Sequence, residues 1–315
     1  MRFTKPNALK RGDTIALISP ASAVSAQRAD VYAEYLKSAG YFVRIMPHAT
    51  NRLGFLAGRD EDRAADIMAA FCDDYMNAIF CIRGGYGTLR LLPLLDFEEI
   101  AKHTKIFSGF SDITVLHTVF NNLCGFVTFH APMSSVPDGD INPPPNPFAF
   151  HAHLDMLSGE STNIPIPAPY APKTLCSGRA EGLLTGGNLT LLASLAGTPY
   201  APATNGRILV VEDVGEQPYA IDRALQTLRL SGMLNGLLGV VIGDFTTCAA
   251  KDEGDTQTAF DVLSDTFTPL GIPIIYDYPT GHIPAQVTLP MGCRARIIAD
   301  DDRPRIELLD CPVRV

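Results

Sequence analysis

The sequence contains no tryptophan and no long apolar segment. No stretch of it approaches the roughly 18 apolar residues that a membrane-spanning helix requires. Residues 1–6 also lack the apolar core of a secretory signal peptide. We therefore expect a cytoplasmic protein that does not enter a membrane.

Basic segments and paired cysteines are missing as well. The net charge of −9 over 315 residues argues against nucleic acid as a partner, because such binding depends largely on Lys and Arg contacts to phosphates. The seven cysteines are scattered, odd in number and without a Cys-x-x-Cys pair. This pattern indicates reduced thiols rather than disulfides or zinc ligands.

The usual signatures of cofactor sites are also absent. The chain has neither the Gly-x-Gly-x-x-Gly spacing of a dinucleotide site nor the Gly-Lys-Ser/Thr ending of a P-loop. His151 and His153 do not have the i, i+4 spacing of a helical zinc pair. We expect neither a metal nor an organic cofactor.

What the chain does contain is a regular alternation of strand and helix patterns in its first half. Such alternation predicts an α/β fold with a parallel sheet covered on both faces. Prolines are dense from Pro132 to Pro172 and include the run at residues 143–145, which favours a boundary. We predict an N-terminal α/β domain over residues 1–140, a Pro-rich linker over 141–177 and a C-terminal mixed β/α domain over 178–315.

The tetrapeptide Gly-Phe-Ser-Asp at residues 109–112 is the strongest functional signal. It joins a short apolar run to a segment with helical spacing of apolar residues. A serine at a sharp strand-to-helix turn has an accessible hydroxyl, and free N–H groups beside it can hold an oxyanion. Ser111 is therefore a candidate nucleophile, and the alternative is that it only caps the helix.

A serine nucleophile needs a base, and the base needs an orienting carboxylate. Glu212 ends the apolar run at 208–211, where an α/β protein places ligand-facing residues. The alternative is that Glu212 or Asp213 caps the next element or pairs with an arginine. His282 lies on a loop stiffened by two prolines and is the candidate base, with His130 as a weaker rival.

A glycine-rich segment, Arg-Gly-Gly-Tyr-Gly at residues 83–87, follows a predicted strand and precedes a helical pattern. Glycines in this position let backbone N–H groups approach a ligand closely. The segment is either a second source of oxyanion donors or a tight turn.

These motifs occur together in a particular order. They are residues 83–87, 109–114 (Gly-Phe-Ser-Asp-Ile-Thr), 186–189 (Gly-Gly-Asn-Leu), 211–213 (Val-Glu-Asp) and 281–282 (Gly-His). In order and spacing they resemble the L,D-carboxypeptidases, the serine peptidase family that includes muramoyltetrapeptide carboxypeptidase and the microcin C7 self-immunity peptidase. The resemblance extends over nearly the whole chain. Phe110 stands where many relatives have another aromatic residue such as Tyr.

The resemblance implies a Ser111–Glu212–His282 triad, with the backbone N–H groups of Gly85 and Asp112 as oxyanion donors. It also implies a Rossmann-like N-terminal domain of the class I glutamine amidotransferase type, and a homodimer. Candidates for binding the substrate are Arg83, Tyr86 and Asn188, and for its terminal carboxylate also Arg223 and Arg229.

The implied activity is hydrolysis of the bond between meso-diaminopimelate and the terminal D-Ala of a murein tetrapeptide, as in peptidoglycan recycling. One alternative is cleavage of a microcin-like peptidyl or aminoacyl nucleotide. That substrate calls for an aromatic residue to stack on the base, which Tyr170 or Phe148 would have to supply in a chain without tryptophan. A second alternative is a non-catalytic protein that binds an anionic ligand at a helix N-terminus.

Overall fold

The computed structural model describes residues 3–134, 146–252, 254, 256–300 and 302–315. Over these residues the chain forms two β-sheets with helices packed on them. The proline run at 143–145 lies outside the described residues. No helix within the described ranges has the length and apolar character that crossing a bilayer would require.

The first sheet has six strands in the order β11-β5-β4-β3-β1-β2. Its strands are β1 (Thr14–Ile18), β2 (Phe42–Ile45), β3 (Ala78–Cys81), β4 (Ile106–Gly109), β5 (Thr128–His130) and β11 (Leu289–Met291). The first five are parallel to their neighbours, as the alternating pattern predicts, and β11 is an antiparallel edge strand. The helices of this part are α1 (Ala26–Ser38), α2 (Asp60–Cys72), α3 (Phe97–Lys102), α4 (Thr114–Val119) and α5 (Pro147–Ser158).

The second sheet has seven strands in the order β13-β12-β7-β8-β9-β10-β6. Its strands are β6 (Lys173–Cys176), β7 (Gly178–Asn188), β8 (Arg207–Val214), β9 (Gly239–Thr246), β10 (Ile274–Tyr276), β12 (Arg294–Ala299) and β13 (Arg305–Leu308). Strands β7 to β10 are parallel, whereas β6, β12 and β13 run antiparallel to their neighbours. The helices here are α6 (Leu189–Leu195), α7 (Pro218–Leu230) and α8 (Ala259–Phe267).

Strand order explains where a site can form in the first sheet. The order reverses between β1 and β3, and ligands of open α/β sheets bind at the carboxyl ends of strands beside such a reversal. The glycine segment 83–87 follows β3 at this point. Its backbone meets the loop after β1, since Ser22 N–H donates to Gly84 O over 3.2 Å.

The two sheets meet where α4 lies against the end of β7. The N–H of Asn188 donates to Thr114 Oγ1 over 2.9 Å. A side chain on Gly187, whose φ is +135°, would collide with the same Thr114 hydroxyl. The glycines at 186–187 therefore let the second sheet approach the helix that begins three residues after Ser111.

Two segments connect the halves of the chain in ways that the sequence patterns did not indicate. Helix α5, inside the proposed linker, packs its buried face into the core of the first sheet through Phe150, Leu154 and Leu157. Strand β11, from the C-terminal half, completes the first sheet beside β5. The domain division at residues 140 and 178 stays a prediction, as does the likeness to Rossmann-like and amidotransferase-like domains.

Candidate active site

Ser111 occupies a sharp turn between β4 and α4. It begins a short 3-10 turn (Ser111–Ile113) and has a φ of +65°. A non-glycine residue in this left-handed region carries backbone strain, which is characteristic of functional turns. The N-cap position of the turn belongs to Phe110, so the hydroxyl of Ser111 is not used as a cap.

The Ser111 hydroxyl contacts a histidine from the second half of the chain. His282 Nε2 lies 3.0 Å from Ser111 Oγ, and His282 Nδ1 lies 2.8 Å from Glu212 Oε2. Glu212 is fully buried on β8, and the histidine side chain is 15% exposed. Thr246 Oγ1 donates to the His282 carbonyl over 3.1 Å and fixes the loop. The structure thus brings the three sequence-predicted residues into one hydrogen-bonded chain.

The buried carboxylate controls the electrostatics of this chain. Burial by itself lowers the pKa of His282, but the hydrogen bond and charge of Glu212, together with the charges of Asp213 and Asp244, raise it overall. Burial raises the pKa of Glu212, and the contact with His282 opposes that shift. Carboxylate and imidazole therefore stabilise each other's charged forms, as an orienting acid and a base require.

The glycine segment packs directly on Ser111. A Cβ on Gly84 would lie 2.8 Å from Ser111 Cβ, and a Cβ on Gly85 would collide with Ser22. Gly85 has a φ of +106°, and Ser22 Oγ accepts the N–H of Tyr86 over 3.1 Å. The absence of side chains at Gly84 and Gly85 is thus what lets the backbone run beside Ser111.

The residues predicted to bind substrate lie in three settings. Arg83 is half-buried at the start of the glycine segment, and its Nη1 donates to Ala23 O over 3.2 Å. Tyr86 is exposed and packs edge-on against Phe55 with ring centroids 5.6 Å apart. Asn188 is buried, and its amide is engaged at both ends, capping α6 through Oδ1 and donating to Asp213 Oδ1.

The arginines proposed for the terminal carboxylate and the aromatic residues proposed for stacking lie in different parts of the structure. Arg223 and Arg229 lie on α7, where Arg223 covers the ring of Tyr219. Tyr170 lines a cavity of about 290 Å³ together with Asp244 and Ile283, the neighbour of His282. Phe148 lines a different cavity near the start of α5.

Asp213 and the remaining buried histidines have structural contacts. Asp213 Oδ2 accepts from Thr190 N and Oγ1 at the start of α6. His117 Nε2 lies 2.8 Å from the O atom of Gly109, two residues before Ser111. His153 bridges Ser108 and Thr288 with contacts of 3.0 Å each.

His130 and Phe110 form the floor below the catalytic candidates. Both are buried, and Phe110 places its ring 4.9 Å from that of His282 and 5.9 Å from that of His130. Phe110 therefore supports the imidazole by packing. In this structure the histidine beside Ser111 is His282 rather than its rival His130.

Within the described parts of the chain, possible metal-ligating side chains come together at Cys72, Glu99 and His103. Cys72 ends α2, Glu99 lies in the first turn of α3, and His103 follows α3 as its C-cap. It includes none of the histidines considered from the sequence.

Several residues that shape the site were not found from the sequence. Ser22, Thr88 and Thr114 hold the glycine segment, the nucleophile turn and the seam between the sheets. Buried Arg63 on α2 donates to Pro20 O and Gly87 O. Thr114 belongs to the 109–114 motif, but nothing in that motif indicates its contact with Asn188. No local pattern marks Ser22 or Arg63, because their partners are distant in sequence. Thr88 could have drawn attention as a polar residue directly after the 83–87 segment.

Comparison with known proteins places this geometry in a family. Residues 15–131 match the LD-carboxypeptidase N-terminal domain, and residues 181–297 match the LD-carboxypeptidase C-terminal domain. The chain belongs to the LD-carboxypeptidase family. This family of peptidases accounts for both halves of the chain and contains Ser111, Glu212 and His282 within the matched ranges.

Similar family members are known from several bacteria. A "Probable murein peptide carboxypeptidase" of Bacillus subtilis (strain 168) is 38% identical over 294 residues, covering 92% of this chain and 90% of that protein. The murein tetrapeptide carboxypeptidase of Pseudomonas aeruginosa is 32% identical, covering 88% and 91%.

Solved structures with a similar fold match nearly the whole chain. The muramoyltetrapeptide carboxypeptidase from Oxalobacter formigenes has a TM-score of 0.80 at 32% identity, covering 95% of this chain and all of that one. The microcin C7 self-immunity protein in complex with aspartyl sulfamoyl adenosine has a TM-score of 0.88 at 21% identity, covering 99% of this chain and 100% of that one, which is a likeness of fold.

Proposed function

We propose that this protein is a serine L,D-carboxypeptidase that removes the terminal D-Ala from murein tetrapeptides by cleaving its bond to meso-diaminopimelate. The observation that carries the proposal is the hydrogen-bonded chain from Ser111 through His282 to Glu212, with distances of 3.0 and 2.8 Å. The relatives named murein peptide and murein tetrapeptide carboxypeptidase support the choice of substrate.

The reaction runs through an acyl-enzyme. Ser111 Oγ attacks the carbonyl carbon of the scissile bond while His282 Nε2 takes the hydroxyl proton. His282 returns that proton to the amine of the leaving D-Ala. Glu212 keeps the imidazole oriented and stabilises its protonated form. Water, deprotonated by His282, then hydrolyses the ester and frees Ser111.

The oxyanion and the terminal carboxylate of the substrate need separate partners. The backbone N–H groups of Gly85 and Asp112 are the proposed oxyanion donors, because their segments pack against each other at Ser111. Arg83 is the proposed cation for the D-Ala carboxylate, since it directly precedes Gly84, which contacts Ser111.

A second candidate is cleavage of an aminoacyl nucleotide. Its specific support is Tyr170, an aromatic residue that lines the same cavity as Ile283, the residue after His282 in the chain. This second proposal has less support than the first, because it depends on one side chain. The relatives at 38% and 32% identity are named for murein peptides, which favours the first proposal.

The deciding experiment offers both substrates to the purified protein. We expect mass spectrometry to detect D-Ala release from a murein tetrapeptide, and no release by Ser111→Ala. Cleavage of an aminoacyl sulfamoyl adenylate without cleavage of the tetrapeptide would replace the main proposal with the second one. Binding of tetrapeptide by wild type and Ser111→Ala alike, with no product from either, would identify a binding protein.

We also propose that the enzyme acts as a homodimer in the cytoplasm, as the family resemblance implies. All seven cysteines are free, which fits a reducing compartment. Size-exclusion chromatography with light scattering should give twice the mass of one chain. The mass of a single chain at assay concentrations would contradict the dimer.

A further inference from the structure

The side chain of Asp112 has contacts that its proposed backbone role does not explain. It is 1% exposed and directly follows the nucleophile. Its Oδ2 accepts the N–H of Thr88 over 2.9 Å, and Thr88 Oγ1 donates to the Asp112 carbonyl over 2.7 Å. Two hydrogen bonds, both donated by Thr88 and accepted by Asp112, therefore join the nucleophile turn to the residue directly after the glycine segment.

The glycine segment is fixed from its opposite side as well. The buried guanidinium of Arg63 donates to Gly87 O over 3.1 Å, and Ser22 Oγ accepts the N–H of Tyr86. Gly87 has a φ of +133°, and a side chain there would come 2.8 Å from Arg63 Nη1. The segment is thus held on two sides by hydrogen bonds, which we call clamps. Arg63 and Ser22 form one clamp, and Asp112 forms the other, on the side that faces Ser111.

An oxyanion hole depends on such fixation. Its two proposed donors, the N–H groups of Gly85 and Asp112, belong to different loops, after β3 and after β4. They stabilise an oxyanion only if both point to one place before the charge develops. A side chain that ties one loop to the other can set that geometry directly.

We propose that the carboxylate of Asp112 is a positioning residue that holds the glycine segment against the nucleophile turn, so that the two oxyanion donors stay aligned. This inference rests on the proposed serine mechanism. Asp112 acts through Thr88 and the backbone, and its side chain does not touch the reacting atoms.

The charges around Asp112 fit this role. Burial raises its pKa to about 6, and the bonds from Thr88 and the charge of Arg63 oppose that rise. The titratable groups that face it are Arg63 from α2 and the Cys81 thiol from β3. At neutral pH the group is a buried carboxylate, which accepts stronger hydrogen bonds than a neutral group.

The test compares Asp112→Ala with Asp112→Asn, which keeps an oxygen acceptor of the same length. Two rates are measured: hydrolysis of the murein tetrapeptide, and phosphonylation of Ser111 by a fluorophosphonate. We expect Asp112→Ala to lower kcat and the phosphonylation rate by about 10²–10³-fold with little change in KM, as for loss of an oxyanion donor. Asp112→Asn should recover to within about tenfold of wild type.

Asp66→Ala and Asp66→Asn are the matched controls. Asp66 is also a buried carboxylate of the first sheet's helices, 4% exposed and bonded to His48. These variants should lose stability but keep the wild-type kcat. A similar loss of kcat in the Asp66 variants would mean that any buried charge in this region matters, and the proposal would fail.

Two further outcomes would overturn the proposal. One is a folded Asp112→Ala that is phosphonylated at the wild-type rate, and the other is equal losses for Ala and Asn. If Asp112→Ala does not fold, Asp112→Leu takes its place, because it fills a similar volume without an acceptor for the Thr88 N–H; a wild-type kcat in that variant would overturn the proposal. A wild type that is phosphonylated at Ser111 but leaves the tetrapeptide intact refutes the substrate, while the variants still report on Asp112.

Discussion

Ser111 lies in the turn after β4 and His282 in the loop between β10 and β11, yet their side chains lie within hydrogen-bond distance. If they act as one unit, removing either should remove the same step. We expect Ser111→Ala and His282→Ala each to lower kcat by about four to six orders of magnitude, and the double variant to be hardly worse. Tetrapeptide hydrolysis measured on the three folded variants checks this, and additive losses would mean that the residues work independently.

Glu212 should set the pH at which the enzyme loses activity. It raises the pKa of His282 above the ordinary value by stabilising the protonated imidazole. The base is needed in its neutral form, so kcat/KM should fall as pH drops through a midpoint above about 6.5. Glu212→Gln removes the charge and leaves burial, so this midpoint should move to lower pH, with a reduced rate at every pH.

The measurement is kcat/KM on the tetrapeptide between pH 5 and 9, which reports on the free enzyme. Asp66→Asn on α2 is the comparison, since it removes a buried carboxylate that is bonded to His48 instead of His282. A midpoint that stays in place or rises in Glu212→Gln would contradict the assignment of His282 as the base.

At the scale of elements, the contact between α4 and β7 should couple stability to activity. Gly187→Ala places a methyl group against Thr114 at a φ of +135°. We expect a loss of about 1–3 kcal/mol from overpacking in addition to the backbone strain. The value of kcat should fall too, because α4 begins at Thr114, directly after the turn that contains Ser111.

Gly12→Ala separates the two causes of that loss. Its φ is +89°, and nothing lies within 4 Å of the added Cβ. Urea unfolding and tetrapeptide hydrolysis are measured for both variants. Gly12→Ala should lose stability through strain alone and keep the wild-type kcat. Equal losses of stability and kcat in the two variants would mean that the contact between α4 and β7 does not affect the site.

Elements with strong local patterns could be predicted, and those formed by distant pairing could not. The spacing of apolar residues alone predicts four buried strands and one amphipathic helix, namely β1, β3, β8, β9 and α7. Strand β7 contains several glycines and resembles a loop in sequence; it is a strand because β8 and β12 pair with it on either side. The helical pattern after the glycine segment is instead a 3-10 helix (Thr88–Leu94) that contains Pro93, a residue unfavourable inside an α-helix.

The same distinction applies to the site. Ser111 can be predicted from its position between a strand pattern and a helix pattern. The family resemblance then identifies Glu212 and His282 as its partners. Arg63 and Asp112 could not be identified as clamps, because their partners at Gly87 and Thr88 lie 24 residues away in the chain. A buried charge in a helix or turn has no signature until the fold supplies its partner.

At the scale of the whole molecule, the proposed reaction is complete without a metal. Ser111 supplies the nucleophile, His282 moves the proton, and backbone N–H groups hold the oxyanion, so no metal is needed to acidify water. Tetrapeptide hydrolysis should therefore continue after dialysis against EDTA or dipicolinate. Cys72→Ser, in the group with Glu99 and His103, should likewise keep the wild-type rate.

Phosphonylation of Ser111 is the matching control, since it should abolish hydrolysis whether or not chelator is present. Loss of activity on chelation, with recovery on adding Zn²⁺, would contradict the serine mechanism. His130, His151 and His153 would then become the residues to test, together with the Cys72 group. The assignment of Ser111 as nucleophile would have to be withdrawn, because a metal-bound water would then be the nucleophile.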